Sequence, residues 1–419
     1  MKKILIGMLA IAAAMSSCSD EAGSNERKDI PVSRTEAEIV SVNNEFAQKM
    51  MLGLLADPEF DADNYIVSPL SLSMDLTMLA AGTEGRTQAE ILTAMGYEPG
   101  SIETANSLNK KLMAELPLMD KDTKVALANA LWVEQDKMSL LKDSYGKLLA
   151  DYYSASVKGI KGLDKEEGKN AINKWAKENT QGMIPELLDN PLPKNTLMAL
   201  SNALYFKGEW TTKFDKKNSR RENFYNVDGT IGRVNMMTNQ RLSAQAYHDD
   251  EAGYQAAFLA YGNGAYCMAV LLPDKGKTTA EVIETMDIVD IQEAVMKPSQ
   301  LKATLNFAMP SFEIETRAKM VQTLKYMGVE QIFAPGKGDF SGMFSSGVSE
   351  FAIGTVFQGS KIVVDEEGTE VASATIIGND VMAPGPMQSS EFIVDRPFVF
   401  IIAERSTGAI LFIGLVSKM

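Results

Sequence analysis

Histidine occurs once in this 419-residue chain, at His248, and cysteine twice, at Cys18 and Cys267. A hydrolase built on a Ser-His-Asp or Cys-His arrangement needs an imidazole base beside its nucleophile, so it would have to use His248. That residue lies in the polar run Tyr247-His248-Asp249-Asp250, with neither a nucleophile elbow nor a cysteine nucleophile around it, and reads as a surface histidine. One imidazole and one thiol in an apolar run do not make a zinc set, so no metal site and no cofactor site is expected. A phosphate-binding loop is missing too: Gly276-Lys277-Thr278 has its ending, but the first glycine of the motif would have to stand at Leu271. Positive charge is in deficit. With 41 Lys plus Arg against 55 Asp plus Glu, the net charge of −14 argues against nucleic acid or an anionic membrane surface as partner. Carboxylate pairs such as Asp249-Asp250 and Glu366-Glu367 read as solvated charges. Cys267, inside the apolar run Tyr266–Leu272, reads as a small buried hydrophobe, which leaves the mature chain no intramolecular disulfide. These absences leave no enzyme in view.

What is present is core-forming material. Apolar residues make up 45% and aromatics 8% of a chain long enough for one large domain or two medium ones. Helical periodicity runs through Thr35–Leu55, Thr87–Met95, Ile102–Leu116, Ser139–Tyr153, Lys165–Thr180, Thr278–Val295 and Arg317–Met327. Asn64–Ser71 reads as a strand ending at a proline, with Ser68 as N-cap and Pro69 in the first turn of the next helix. Strands are expected at Lys124–Val133, at Thr196–Phe206 with a break at Phe206–Trp210, and at Lys302–Ala308. Hairpins follow from Tyr225 to Leu272, one turning at Tyr261-Gly262-Asn263-Gly264. Phe351–Val364 is another strand, and Phe392–Val416 is two strand-like runs split by Arg405-Ser406-Thr407-Gly408. With helices first, strands dominating later and no repeat or linker, a single α+β domain with antiparallel sheets fits best.

Met1 to Cys18 reads as an export signal: Lys2 and Lys3, an apolar Ile4–Met15 too short to span a bilayer, then small residues. Met15-Ser16-Ser17-Cys18 resembles a bacterial lipobox, which implies removal of residues 1–17, lipidation of Cys18 and a polar tether over residues 18–34. On that reading the protein is an exported outer-membrane lipoprotein touching the membrane only through its lipid, and Asp20-Glu21 hint at surface display.

Further residues carry a family resemblance. Phe392-Ile393-Val394-Asp395-Arg396-Pro397-Phe398-Val399-Phe400-Ile401-Ile402 closely resembles the C-terminal signature of serpins, and Glu366-Glu367-Gly368-Thr369-Glu370 resembles the serpin hinge. Asn64–Ser71, Asn129–Trp132, Asn202–Trp210 and Asp339–Met343 are similar to further family motifs in the same order. The matches span about residues 35–419. The resemblance implies about nine helices around three mainly antiparallel sheets, with a protruding reactive-centre loop. A target serine protease, or a cysteine protease, cleaves that loop and forms an acyl-enzyme. The freed loop then inserts into the central sheet and distorts the protease, so the molecule acts as a single-use inhibitor, a monomer without cofactor.

The loop residues suit that role. Gly368 gives the hinge freedom to bend because it lacks a Cβ. In an inserted strand, Thr369, Val371, Ser373, Thr375 and Ile377 would share one uncharged face, with Glu370, Ala372, Ala374, Ile376 and Gly378 on the other. At about 0.5–1.5 kcal/mol per ladder bond, some fifteen inserted residues would release on the order of 10 kcal/mol. The family's hinge-to-bond spacing, counted from Glu366, puts the scissile bond at Met382-Ala383, with Val381 a near rival and Met387 a distant one. Met382 suits elastase-, chymotrypsin- or subtilisin-like pockets rather than trypsin-like ones. Ser68, Ser71 and Asn202 match the polar cluster beneath the central sheet, where Gln358 replaces the usual histidine, and Trp210 matches the tryptophan where insertion begins. Ile102–Leu116 carries positive charge only at Lys110 and Lys111, so a heparin-type cofactor site is not supported. The alternative is a non-inhibitory binding or carrier member of the family, which the small residues at Val371–Ala374 disfavour.

Overall fold

The computed structural model describes residues 25–60, 62–194, 196–297, 302–345, 351–369 and 390–419. Among them lie nine α-helices: α1 (Arg34–Leu55), α2 (Pro69–Gly82), α3 (Gly85–Met95), α4 (Ile102–Glu115), α5 (Asp143–Tyr153), α6 (Glu166–Asn179), α7 (Thr279–Thr285), α8 (Ile288–Met296) and α9 (Val321–Tyr326). The strands are β1 (Asn64–Val67), β2 (Thr123–Glu134), β3 (Ser156–Ile160), β4 (Met198–Glu209), β5 (Arg220–Tyr225), β6 (Ile231–Asp249), β7 (Tyr254–Tyr261) and β8 (Tyr266–Pro273). They continue with β9 (Lys302–Pro310), β10 (Phe312–Lys319), β11 (Ile353–Val364), β12 (Gly368–Thr369), β13 (Ser390–Ile393), β14 (Phe398–Glu404) and β15 (Ile410–Val416).

One six-stranded sheet runs β10-β11-β12-β4-β2-β3. The other strands form a nine-membered network, β1-β15-β14-β8-β7-β6-β9-β13 with β5 on β6. The expected second and third sheets are joined there by β6, whose first half pairs β5 and β9 and whose last residues pair β7. A register shift between Asn239 and Leu242 lets that long strand turn from one layer to the other.

Local chemistry explains the helix starts. Ser33 and Glu36 form a capping box at α1, and Glu36 also takes a 2.7 Å bond from Lys111 of α4. Ser68 caps α2 through the Ser71 amide, with Pro69 in the first turn. α2 is buried on every side, from Leu70 through Leu79, and forms the centre of the core behind the six-stranded sheet. β8, β14 and β15 are buried along their whole length, which is why they read as continuous apolar runs.

Several expected boundaries differ. Phe206–Trp210 does not end the fourth strand, which pairs with β2 as far as Gly208. Arg317–Lys319 belongs to β10 rather than a helix: Phe312, Ile314, Thr316 and Ala318 alternate inward with exposed charges between them. Thr278–Val295 is two helices, because Asp287 caps α8 by accepting from the Val289 and Asp290 amides. Residues 25–33, assigned to the tether, lie against the body. Ile30 is buried with its amide on Ser406, and Asn25 bonds Asp120 and Asp122.

Candidate functional site

The site lies where β4 and β11 meet. The two strands pair directly in parallel from Ile353–Met198 to Gly359–Ala203. Above Gly359 the next pairings across the seam are made by β12: Thr369 opposite Val364 on one side, Gly368 opposite Glu209 and Thr369 opposite Gly208 on the other. β12 is antiparallel to both neighbours, so at Thr369 the chain heads down the seam, between strands that touch a few residues further on.

The turn that delivers β12 is held by main-chain and side-chain bonds. Asp365 N–H donates to the Gly368 carbonyl at 2.9 Å, and the Asp365 carboxylate accepts from the Glu367 amide at 2.8 Å. Trp210 donates through its amide to the Glu367 carbonyl and through Nε1 to the Asp365 carbonyl, each at 2.8 Å. The Phe214 amide donates to the Glu366 carbonyl. Behind the strand, Tyr261 stacks on Trp210 at 4.4 Å and exchanges a 2.7 Å hydrogen bond with the Thr369 hydroxyl. Thr369 is 1% exposed. A Cβ at Gly368 would lie 2.1 Å from the Gly208 carbonyl oxygen, so glycine is demanded here by close approach as well as by freedom to bend.

The acidic hinge is not solvated, contrary to the sequence reading of Glu366-Glu367. The Glu366 carboxylate is buried and accepts from Ser219 Oγ at 2.6 Å and Asn235 Nδ2 at 3.0 Å. Burial pushes its pKa up, but those bonds outweigh it and hold the group below the usual glutamate value. Glu367 pairs with Lys213 at 3.0 Å and Lys216 at 3.4 Å, and Lys213 also pairs with Glu209 at 2.7 Å. Hydrogen bonding from Lys213 lowers the Glu367 pKa. The sequence pattern offered no signal for Tyr261, Ser219 or Asn235, which come from other strands and loops.

Lower in the seam, Gln358 and Asn202 are ladder partners. Gln358 Oε1 accepts from the Ser68 amide at 2.8 Å, and its Nε2 donates to the Ser68 carbonyl at 2.6 Å. Ser71 reaches this group through its amide on Ser68 Oγ. Asn202 instead bonds Asn129 of β2, which in turn donates to the Tyr153 carbonyl at 3.1 Å. A row of amide side chains thus crosses three strands and is tied to the cap of α2 and the end of α5. Asn129 stood in a motif of the sequence without being assigned to the cluster.

Glu370, Val371, Ala372, Ser373 and Ala374, the bond Met382-Ala383 with its rival Val381, and Cys18 lie outside the described residues. Among the described residues no group of three or more His, Cys, Asp or Glu side chains is placed to hold a metal ion. His248 sits at the surface between Asp274 and Asp250, each 2.9 Å from a ring nitrogen. Cys267 is buried, and burial pushes its thiol up to about 11.

The profile of the Serpin (serine protease inhibitor) family matches residues 41–419. The chain is a serpin. It is 31% identical over 395 residues to the leukocyte elastase inhibitor of Homo sapiens, covering 91% of this chain and 99% of that one. The thermophilic serpin tengpin, solved in its native state, superimposes with a TM-score of 0.81 at 27% identity, over 94% of this chain and 97% of tengpin. Human thyroxine-binding globulin in complex with thyroxine shares the fold at a TM-score of 0.79 and 23% identity, over 92% and 99% of the two chains. Serpins are protease inhibitors rather than proteases, and the fold is also that of a thyroxine-binding globulin.

Proposed function

We propose that this serpin is an inhibitory one that traps serine proteases of elastase-, chymotrypsin- or subtilisin-like specificity, and cysteine proteases by the same route. The protease nucleophile attacks the Met382 carbonyl, the bond to Ala383 breaks, and the amine of Ala383 leaves as a new N-terminus. The acyl-enzyme then partitions. Water can release the protease, or residues after Thr369 can enter the seam and carry the protease away from its deacylating geometry.

One observation carries this reading. Gly368 and Thr369 already occupy ladder positions between β4 and β11 and run antiparallel to both, so insertion extends an existing strand instead of nucleating one. Beyond Glu370, Val371 to Ile377 are uncharged and small or β-branched. The carrier reading has less behind it, because the small residues at Val371–Ala374 suit insertion.

The test is incubation of the purified protein with elastase and subtilisin. Covalent complexes that survive SDS are expected; cleavage of the loop with none trapped would sink the reading. Mass spectrometry of the released C-terminal fragment decides between Met382 and Val381. We also propose anchorage at the outer membrane through lipidated Cys18, tested by release of the Cys18→Ala protein from the membrane fraction.

A further inference from the structure

The β5–β6 hairpin carries two arginines that, among the described residues, are ordered without being paired to a carboxylate. Register places Arg221 opposite Asn235, Asn223 opposite Arg233 and Tyr225 opposite Ile231. Phe224, Val234 and Met236 are buried, so by strand alternation these six residues share the other face. The Arg221 guanidinium donates to the Arg233 carbonyl at 3.0 Å. That of Arg233 donates to Asn223 Oδ1 at 2.8 Å and to the Arg221 carbonyl at 2.9 Å. The partners are neutral, so the bonds fix both side chains along the hairpin without cancelling their charge. Lys217 and Arg220 are exposed alongside. In a chain of net charge −14 this ridge gathers positive charge, with one exposed carboxylate, Glu222, in β5 itself. It ends in exposed apolar surface: Tyr225 at 50%, Val227 at 58% and Ile231 at 57%.

The ridge begins at the hinge. Asn235, on the same face as the arginines, donates to Glu366, and Ser219, one residue before β5, donates to the same oxygen. The ridge therefore adjoins the turn that delivers β12. Pre-ordered guanidinium groups beside exposed Tyr and Ile have the composition of a protein-interface hot spot, and unpaired like charge steers partners of opposite sign.

We infer that the ridge is a second contact surface for the target protease, one that presents carboxylates and an apolar spot beside its substrate cleft. The inference rests on the reading that proteases attack the loop. It makes the target an acidic protease and association salt-dependent, and it leaves the partition after attack to the hinge.

The experiment measures the second-order rate of loop attack, counting trapped and cleaved products together. It uses two subtilisin-type proteases of opposite net charge over a range of salt. Arg221→Gln with Arg233→Gln keeps donors and removes charge; it is expected to slow the acidic protease roughly tenfold at low salt, flatten its salt dependence and spare the basic one. Arg221→Lys with Arg233→Lys should retain most of the rate, and melting of each uncleaved variant checks the fold. Equal rates and salt slopes in every variant would overturn the inference. So would a dimer that the Gln pair dissolves while attack rates stay the same, because the ridge would then be a self-association surface. Failure of the inhibitory reading looks different: all product cleaved and none trapped, with the rate comparison still intact.

Discussion

Glu366 shows what a single residue gains from its surroundings. Sequence marked it as part of an acidic hinge, but its burial and its bonds to Ser219 and Asn235 come from residues far away along the chain. Its folded pKa is lowered, so the stability it contributes is present above the unfolded value of about 4.3 and is lost as pH falls through the folded one. Acidification below pH 4 should therefore loosen the hinge, read as a change in Trp210 fluorescence, and Glu366→Gln should remove that acid step. Gly368 is limited differently. Its missing Cβ would lie 2.1 Å from the Gly208 oxygen, so Gly368→Ala should keep the hinge from its ladder positions. The expected outcome is several-fold more loop cleaved per protease trapped, measured as the ratio of the two products on gels. A slower attack with an unchanged ratio would count against this account.

At the scale of elements, β12 decides the matter. Two residues long, it is bonded on both edges and leads directly into the β4–β11 seam. Its first inward side chain is Thr369, which is 1% exposed and bonded to Tyr261. Placing a guanidinium there would bury an unpaired charge at a cost of several kcal/mol. Thr369→Arg should still be cut by the protease yet trap little of it; retention of SDS-stable complex at the wild-type yield would contradict the geometry. The sequence did reveal the strand-forming character of these residues through alternation and β-branching. That the first two of them already sit in the sheet was not legible, because strand pairing is decided by which neighbours lie open, and period-2 patterns carry no record of partners. The same limit hid the continuation of β4 through Gly208, whose glycine reads as a break but packs against the Tyr261 ring. It also hid the ridge on β5 and β6, where a charge run in the sequence becomes a surface only through register.

For the whole molecule, the six-stranded sheet stays short of complete: β4 and β11 pair directly only as far as Ala203–Gly359. Insertion of about fifteen residues with net gains of 0.5–1.5 kcal/mol each would stabilise the cleaved form by on the order of 10 kcal/mol. Loop cleavage should then raise the melting temperature by about 10 °C or more, followed by circular dichroism. An unchanged melting temperature would contradict insertion. The sequence by itself determined the class of the fold and the order of most elements. It could do so because helix caps and apolar periodicity are local facts. Only the tertiary structure decided that Glu366 is buried, that Gln358 grips both ends of the Ser68 peptide unit and that β12 is already paired. Each of those depends on residues more than a hundred positions apart meeting at one seam, and no local pattern encodes such a meeting.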